Sequence, residues 1–204
     1  MQTIIVNYGM GNLGSVLTAV RNLGRQAEIT KDPSDLEKAD KVILPGVGSF
    51  NDAMQELRSK GWVEALKTHA KIKKRPILGI CLGMQLFADL GFEGEETKGL
   101  SLIPGKVKHL NDIGCQGKVP HIGWNDVKVK KQSDLFNGIS SGNDFYFVHS
   151  YAFVPANEDN VLSTVFYEKE IVASIMSQNI YGTQFHPEKS SFAGQKLLKN
   201  FLEL

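Results

Sequence analysis

Pro76-Ile77-Leu78-Gly79-Ile80-Cys81-Leu82-Gly83 is the stretch on which the fold turns. A buried-strand pattern ends at a cysteine set between two glycines, and helical spacing begins directly after it. The sharp strand-to-helix turn called a nucleophile elbow needs that arrangement, because small neighbours let the backbone bend and lift the side chain off the sheet. N–H groups at the start of the following helix then face whatever the sulfur attacks, and their positive potential favours a thiolate. The competing reading is a core cysteine, since free Cys is among the most buried residue types. A second stretch, Tyr181-Gly182-Thr183-Gln184-Phe185-His186-Pro187-Glu188-Lys189, bears on the choice. His186 follows a strand-like alternation, Pro187 biases it toward an extended backbone, and Glu188 returns to the same side within reach of the imidazole. Nucleophile, base and orienting carboxylate make a triad, here Cys81, His186 and Glu188.

Outward from the elbow, the first half alternates strands with helices. Ile4-Ile5-Val6, Ala27 to Thr30, Lys41 to Leu44 and Pro76 to Ile80 read as strands. Leu13 to Leu23, a stretch from about Phe50, and Trp62 to about Lys71 read as helices. Pro45-Gly46-Val47-Gly48 reads as a glycine-rich turn that ends the third strand. This order predicts an α/β fold: a mostly parallel central sheet with helices on both faces and the site at the carboxyl ends of the strands. The second half changes character. Runs at Lys106-Val107-Lys108, Asp126 to Val129 and Phe145 to Val148 read as antiparallel strands added to that sheet. A hairpin of Ile171 to Ser177 with Tyr181 to Phe185 delivers His186, and an amphipathic helix from about Ala193 to Leu202 closes the chain.

The 204 residues suffice for one domain, 1–204, with a substantial core. A net charge of +1 leaves no footprint for nucleic acid or anionic membrane. Cys81 and Cys115 show neither metal-ligand nor redox-pair spacing, which fits a reducing cytoplasm. Neither a signal peptide nor a membrane span is legible, so a cytoplasmic location is expected. Cys115 lies in a glycine-flanked loop without an evident role.

The motifs GICLGMQ (Gly79 to Gln85), PGVG (Pro45 to Gly48) and QFHPE (Gln184 to Glu188) resemble the class I, triad-type glutamine amidotransferases. Within that family, YGMGN (Tyr8 to Asn12), PHIGWN (Pro120 to Asn125) and FYFVHSY (Phe145 to Tyr151) resemble the glutaminase subunits of imidazole glycerol phosphate synthases. One departure is Asn7, where many members carry an acidic residue. The resemblance implies hydrolysis of glutamine to glutamate and ammonia through a cysteinyl thioester. It also implies an oxyanion hole from Leu82 and the Val47–Gly48 amides, and glutamine contacts from Gly46, Gln85, Glu93, Ser150 and Tyr151. Taken by itself, Glu93 in Glu93-Gly94-Glu95-Glu96 reads equally as a solvated loop charge, and a Pro-Gly-x-Gly sequence as a plain turn. No cofactor or metal is implied. The implied partner is the (β/α)₈-barrel cyclase subunit, in a heterodimer that hands ammonia to a phosphoribosyl-aminoimidazole acceptor in histidine biosynthesis. Asn12, Trp124, Tyr146 and Lys189 are the interface candidates, although Trp124 and Tyr146 also read as core aromatics. His121 and His149 read as structural or pocket-supporting. A paralogous glutaminase serving another acceptor, such as a surface-polysaccharide sugar precursor, has the same motifs. A silent scaffold would not need the triad, and a related cysteine hydrolase would leave YGMGN and PHIGWN unexplained.

Overall fold

A computed structural model describes residues 1–204. In chain order the elements are β1 (Thr3–Val6), α1 (Leu13–Asn22), β2 (Glu28–Thr30), β3 (Lys41–Gly46), α2 (Phe50–Ser59), α3 (Trp62–Lys67), β4 (Ile77–Cys81) and α4 (Leu82–Gln85). There follow β5 (Leu90–Gly91), β6 (Thr97–Lys98), β7 (Gly105–His109), β8 (His121–Val129), β9 (Asn143–His149), β10 (Tyr151–Pro155), β11 (Val161–Tyr167), β12 (Lys169–Ser177), β13 (Ile180–Thr183) and α5 (Ser191–Glu203). The main sheet has nine strands in the order β2-β1-β3-β4-β13-β12-β11-β8-β9. Pairings from β2 through β13 are parallel, and those from β13 through β9 are antiparallel. Cys81 and His186 therefore come from strands on the parallel side, with the antiparallel extension beginning immediately beside them.

Strand alternation explains the two-faced core. Ile5, Ile43, Leu78 and Ile80 face one side and pack with Val16, Ala19 and Val20 of α1 and Leu197, Leu198 and Phe201 of α5. Ile4, Val6, Val42 and Leu44 face the other side, against Ala53, Met54 and Leu57 of α2 and Trp62 and Leu66 of α3. Strands buried on both faces read as unbroken apolar runs, as β1, β3 and β4 do. Side chains just before the helices cap their starts: Asn12 Oδ1 accepts from Ser15 N–H, and Ser49 Oγ accepts from Asp52 N–H.

Two expectations need correction. Strand β3 runs through Pro45 and Gly46 rather than stopping before them. Its pairing with β1 ends at Ile43, so Pro45 sits where only β4 is bonded and its missing N–H costs no ladder bond. The run Lys106-Val107-Lys108 does not extend the main sheet; as β7 it belongs to a separate four-stranded sheet, β10-β7-β5-β6. Val107 is its inward residue and packs with Phe153, Leu100 and Ile103. That small sheet supplies β10, which walls one side of the site.

Candidate functional site

The elbow is built from close approach. A Cβ on Gly79 would lie 2.6 Å from the Gly83 carbonyl oxygen, and one on Gly83 would collide with the Leu44 carbonyl oxygen. Only glycine fits at either position, so α4 can turn straight back across β3 and β4. Cys81 pays in backbone strain: φ is +55° and ψ −111°, a region that side-chain-bearing residues avoid. Such strain is typical of a residue held for function by its surroundings. Leu82 opens a single helical turn, so its N–H is one of the unsatisfied donors beside the sulfur.

His186 arrives from β13 through Gln184 and Phe185. Its backbone N–H donates to the Tyr146 carbonyl at 2.9 Å, while Ser190 Oγ donates to the His186 carbonyl at 2.5 Å. The backbone N–H of Tyr146 in turn donates to Ser190 Oγ. Nδ1 of His186 lies 2.8 Å from Glu188 Oε1, with both side chains almost wholly buried. Glu188 Oε1 accepts only, so Nδ1 carries a proton. Nε2 has no partner within ordinary hydrogen-bond length and is left to the sulfur side of the site. Burial pulls the imidazole pKa down, but the Cys81 sulfur and the Glu188 carboxylate overcome it and push it up to about 9. His186 can thus carry a proton beside the Cys81 sulfur, held in register for its transfer.

A cavity of about 340 Å³ opens over these groups. Cys81, Leu82, Val47, Gly48, Gln85, Glu93, Ser150, Tyr151 and His186 all line it. Gly46 stands behind it, paired with Cys81 across the β3–β4 ladder, and Glu188 lies on the far side of the imidazole. Glu93 is anchored rather than free: Oε2 accepts from the Phe50 N–H at the start of α2, at 2.7 Å. Gln85 Nε2 donates to the Tyr151 carbonyl at 2.9 Å and to Gln184 Oε1 at 3.0 Å.

Pro120, Val148 and Gln184 were not singled out from sequence. Pro120 and Val148 line the cavity, and Gln184 lies wholly buried with Nε2 3.7 Å from the Cys81 sulfur. All three stand inside the motifs PHIGWN, FYFVHSY and QFHPE, but nothing in those stretches marks one position over its neighbours as lining a site. His149 also lines the cavity and pairs with His121, with Nε2 and Nδ1 3.0 Å apart. Asn125 Nδ2 donates to His121 Nε2, so His121 Nδ1 donates to His149 Nε2 and His149 Nδ1 donates to the Tyr151 carbonyl. Burial pushes the two rings down to about 4 and about 3, which keeps both neutral and the chain of bonds directional. The Asn7 departure is mild in shape: its Oδ1 accepts from Gly9 N–H, as a carboxylate would, without the charge. Cys115 is buried away from the cavity, its thiol against the Tyr167 carbonyl and its pKa raised by burial.

Of the four interface candidates, three form one cluster. Trp124 meets Tyr146 edge-on with ring centres 5.9 Å apart, and Lys189 Nζ lies 5.7 Å from the centre of the Tyr146 ring. Trp124 is 49% exposed, so it is a surface aromatic and not a core one. Asn12 stands apart, on a polar cleft shared with Ser15, Ser191 and Glu188. No helix is long and apolar enough to cross a membrane.

The family description "Glutamine amidotransferase class-I" matches residues 4–204. The chain is 47% identical over 201 residues to imidazole glycerol phosphate synthase subunit HisH 1 of Campylobacter jejuni strain RM1221, covering 98% of each. It is 50% identical over 200 residues to the HisH subunit of Moorella thermoacetica, covering 98% of this chain and 93% of that one. The solved structure of PurLQS from Thermotoga maritima has the same fold, with a TM-score of 0.77 at 17% identity over 99% of this chain and 97% of that one. A match spanning nearly every residue, around an elbow cysteine and a buried His–Glu pair, places the chain in the class I glutamine amidotransferases, enzymes that hydrolyse glutamine.

Proposed function

We propose that this chain is the glutaminase subunit of an imidazole glycerol phosphate synthase and releases ammonia for histidine biosynthesis. The observation that carries the chemistry is the strained Cys81 at the mouth of a small cavity, with His186 and Glu188 aligned behind it. The thiolate attacks the side-chain amide carbon of glutamine. His186 gives its proton to the amide nitrogen as the C–N bond breaks, ammonia leaves, and a thioester remains. Water then attacks the thioester with His186 as base, the C–S bond breaks, and glutamate is released with the thiolate restored. Leu82 N–H and an amide of the Val47–Gly48 turn serve the oxyanion. Gln85, Glu93, Ser150 and Tyr151 hold the amino-acid end of the substrate.

The acceptor belongs to a cyclase barrel, the partner that the HisH relatives' names imply. Free ammonia is protonated at neutral pH and lost to water, so the site must be closed by that partner. The surface beside the triad supports this reading. Trp124, Tyr146 and Lys189 cluster there, and Ile122 and Phe192, 59% and 79% exposed, extend the apolar area. An aromatic ringed by polar groups has the composition of an interface anchor. Partner docking then biases the glycine turn over the sulfur through contacts made in one conformation and not the other. The test is steady-state glutamate production by the chain alone, with cyclase, and with cyclase plus acceptor ligand. One oxyanion donor is worth about 10²–10³ in rate, and a stimulation of that order is expected. High activity from the chain alone, unchanged by either addition, overturns the gating, and failure to bind the cyclase overturns the assignment.

A further inference from the structure

We propose that Gln184 is a further catalytic residue, whose side-chain N–H donates directly to the Cys81 sulfur and stabilises it whenever it carries negative charge. The proposal rests on Cys81 being the nucleophile. Gln184 Nε2 lies 3.7 Å from the sulfur, and the residue is 0% exposed. Its amide is not free to turn over. The Tyr151 carbonyl can only accept, so the Gln85 atom bonded to it must be the NH₂ nitrogen. The second hydrogen of that nitrogen goes to Gln184 at 3.0 Å, which must then offer its oxygen there. Gln184 is left with its NH₂ toward Cys81. Tyr151 is held in turn by His149 Nδ1 at 2.8 Å, so the orientation is locked by a chain of bonds that does not involve the sulfur.

A neutral thiol gains little from this donor, because thiol sulfur is a weak acceptor. Its own proton has another outlet, the Val148 carbonyl 3.8 Å away. A thiolate can only accept, and hydrogen bonds to an ionised partner are about twice as strong as neutral ones. The Gln184 contact therefore discriminates between the two protonation states. It also discriminates along the reaction. As the C–S bond forms, charge moves from sulfur to the oxyanion and the bond to Gln184 weakens. As the C–S bond breaks, the electron pair returns to sulfur and the bond tightens. Gln184 thus favours the departing thiolate in the second half-reaction, at a point where His186 is occupied with water.

The experiment follows alkylation of Cys81 by iodoacetamide against pH, in the full-length chain carrying Cys115→Ser, for the parent, Gln184→Leu and Gln184→Glu. Removing the donor should raise the alkylation midpoint by about one pH unit and lower neutral-pH kcat about tenfold, with KM within about twofold. The near-isosteric Gln184→Glu places a like charge at the sulfur and should raise the midpoint further. A residue that merely fills space would leave the midpoint in place, and an unchanged midpoint in either folded variant overturns the proposal. In the unsubstituted chain, the Gln184 side-chain ¹⁵N resonance should shift with the Cys81 titration, and its failure to do so is equally fatal. Substantial glutaminase activity in Cys81→Ser would strike the nucleophile assignment itself, a different result from a silent Gln184.

Discussion

Replacing Glu188 with Gln removes the carboxylate charge while keeping the size of the side chain. In the native site its Oε1 accepts from His186 Nδ1 at 2.8 Å with both groups nearly free of solvent, 3% and 1% exposed. Salt does little to screen such a pair, and a hydrogen bond to a charged partner of this kind contributes about 1.5–3 kcal/mol. If that difference is felt by the imidazolium formed during glutamine breakdown, kcat falls roughly 10- to 150-fold. The amide can still turn its oxygen to Nδ1, but its NH₂ then occupies the place of Oε2, which has no partner in the native structure. The loss should therefore sit toward the upper part of that range. KM should hardly move, because Glu188 does not line the cavity. The pH profile supplies a second readout. The His186 imidazole, drawn down by burial and pushed up by Cys81 and Glu188 to about 9, should lose part of that elevation and bring the alkaline limb of kcat/KM to lower pH. Cysteine and histidine titrate here as a coupled pair, so the limb reports the pair. The assay is glutamate release with saturating cyclase across the pH range. Unaltered kcat with an alkaline limb still near 9 would refute the claim that the carboxylate orients and charges the imidazole.

Three further outcomes are expected. Cys81→Ala should abolish glutamine hydrolysis while leaving the thermal unfolding midpoint and cyclase binding close to those of the parent, measured by calorimetry; retained hydrolysis removes Cys81 from its role. Gly83→Ala should destabilise the chain by about 1–3 kcal/mol in urea unfolding, because the added methyl meets the Leu44 carbonyl where the elbow crosses β3. Stability should fall on acidification below about pH 6.5: His121 and His149 are held neutral by burial down to about 4 and about 3, and the unfolded chain takes up those protons first. Each histidine then costs about 1.4 kcal/mol per pH unit between its unfolded and folded pKa, and a urea midpoint flat from pH 7 to 5 would contradict the neutral pair.

Where local pattern decides structure, the sequence was enough. The strands β1, β3 and β4 are unbroken apolar runs because both faces are covered, and α1 and α2 carry their caps in the residues just before them. The small sheet was not legible, because its strands are short. Leu90–Gly91 and Thr97–Lys98 are two residues each, too brief for alternation to register. Val107 is the only apolar side chain of β7, and nothing local reveals that its neighbours across the core are Phe153 and Leu100 and not the main sheet. The length of β3 was misjudged for a related reason. Pro45 and Gly46 break a strand unless the ladder on one side has already ended, which is a property of β1 and not of β3.

The same division runs through the site. Cys81, His186 and Glu188 stand in motifs that single them out, and Gln85, Glu93, Ser150 and Tyr151 line one cavity with Cys81 and His186 while Gly46 does not. The bonds that hold those groups in place were invisible. Gln85 bonds to Tyr151 and Gln184, and His149 to His121, across separations of 66, 99 and 28 residues. Such pairings depend on β13 lying between β4 and β12, and on β10 arriving from the other sheet. Amide and imidazole groups acquire meaning only once their partners fix which end donates. Asn125 and Trp124 occupy neighbouring positions on β8, so the bond chain that starts at Asn125 begins beside the surface proposed for the cyclase. It runs through two neutral imidazoles to the Tyr151 carbonyl and from there through Gln85 and Gln184 to the sulfur. A positive charge on His149 would turn its Nε2 from an acceptor into a donor and break the bond from His121. The Tyr151 carbonyl, by contrast, accepts from both sides and fixes Gln85 and Gln184 whatever the charge on the imidazoles. The burial that costs acid stability therefore holds the two rings together, and the carbonyl alone aims the donor at the sulfur.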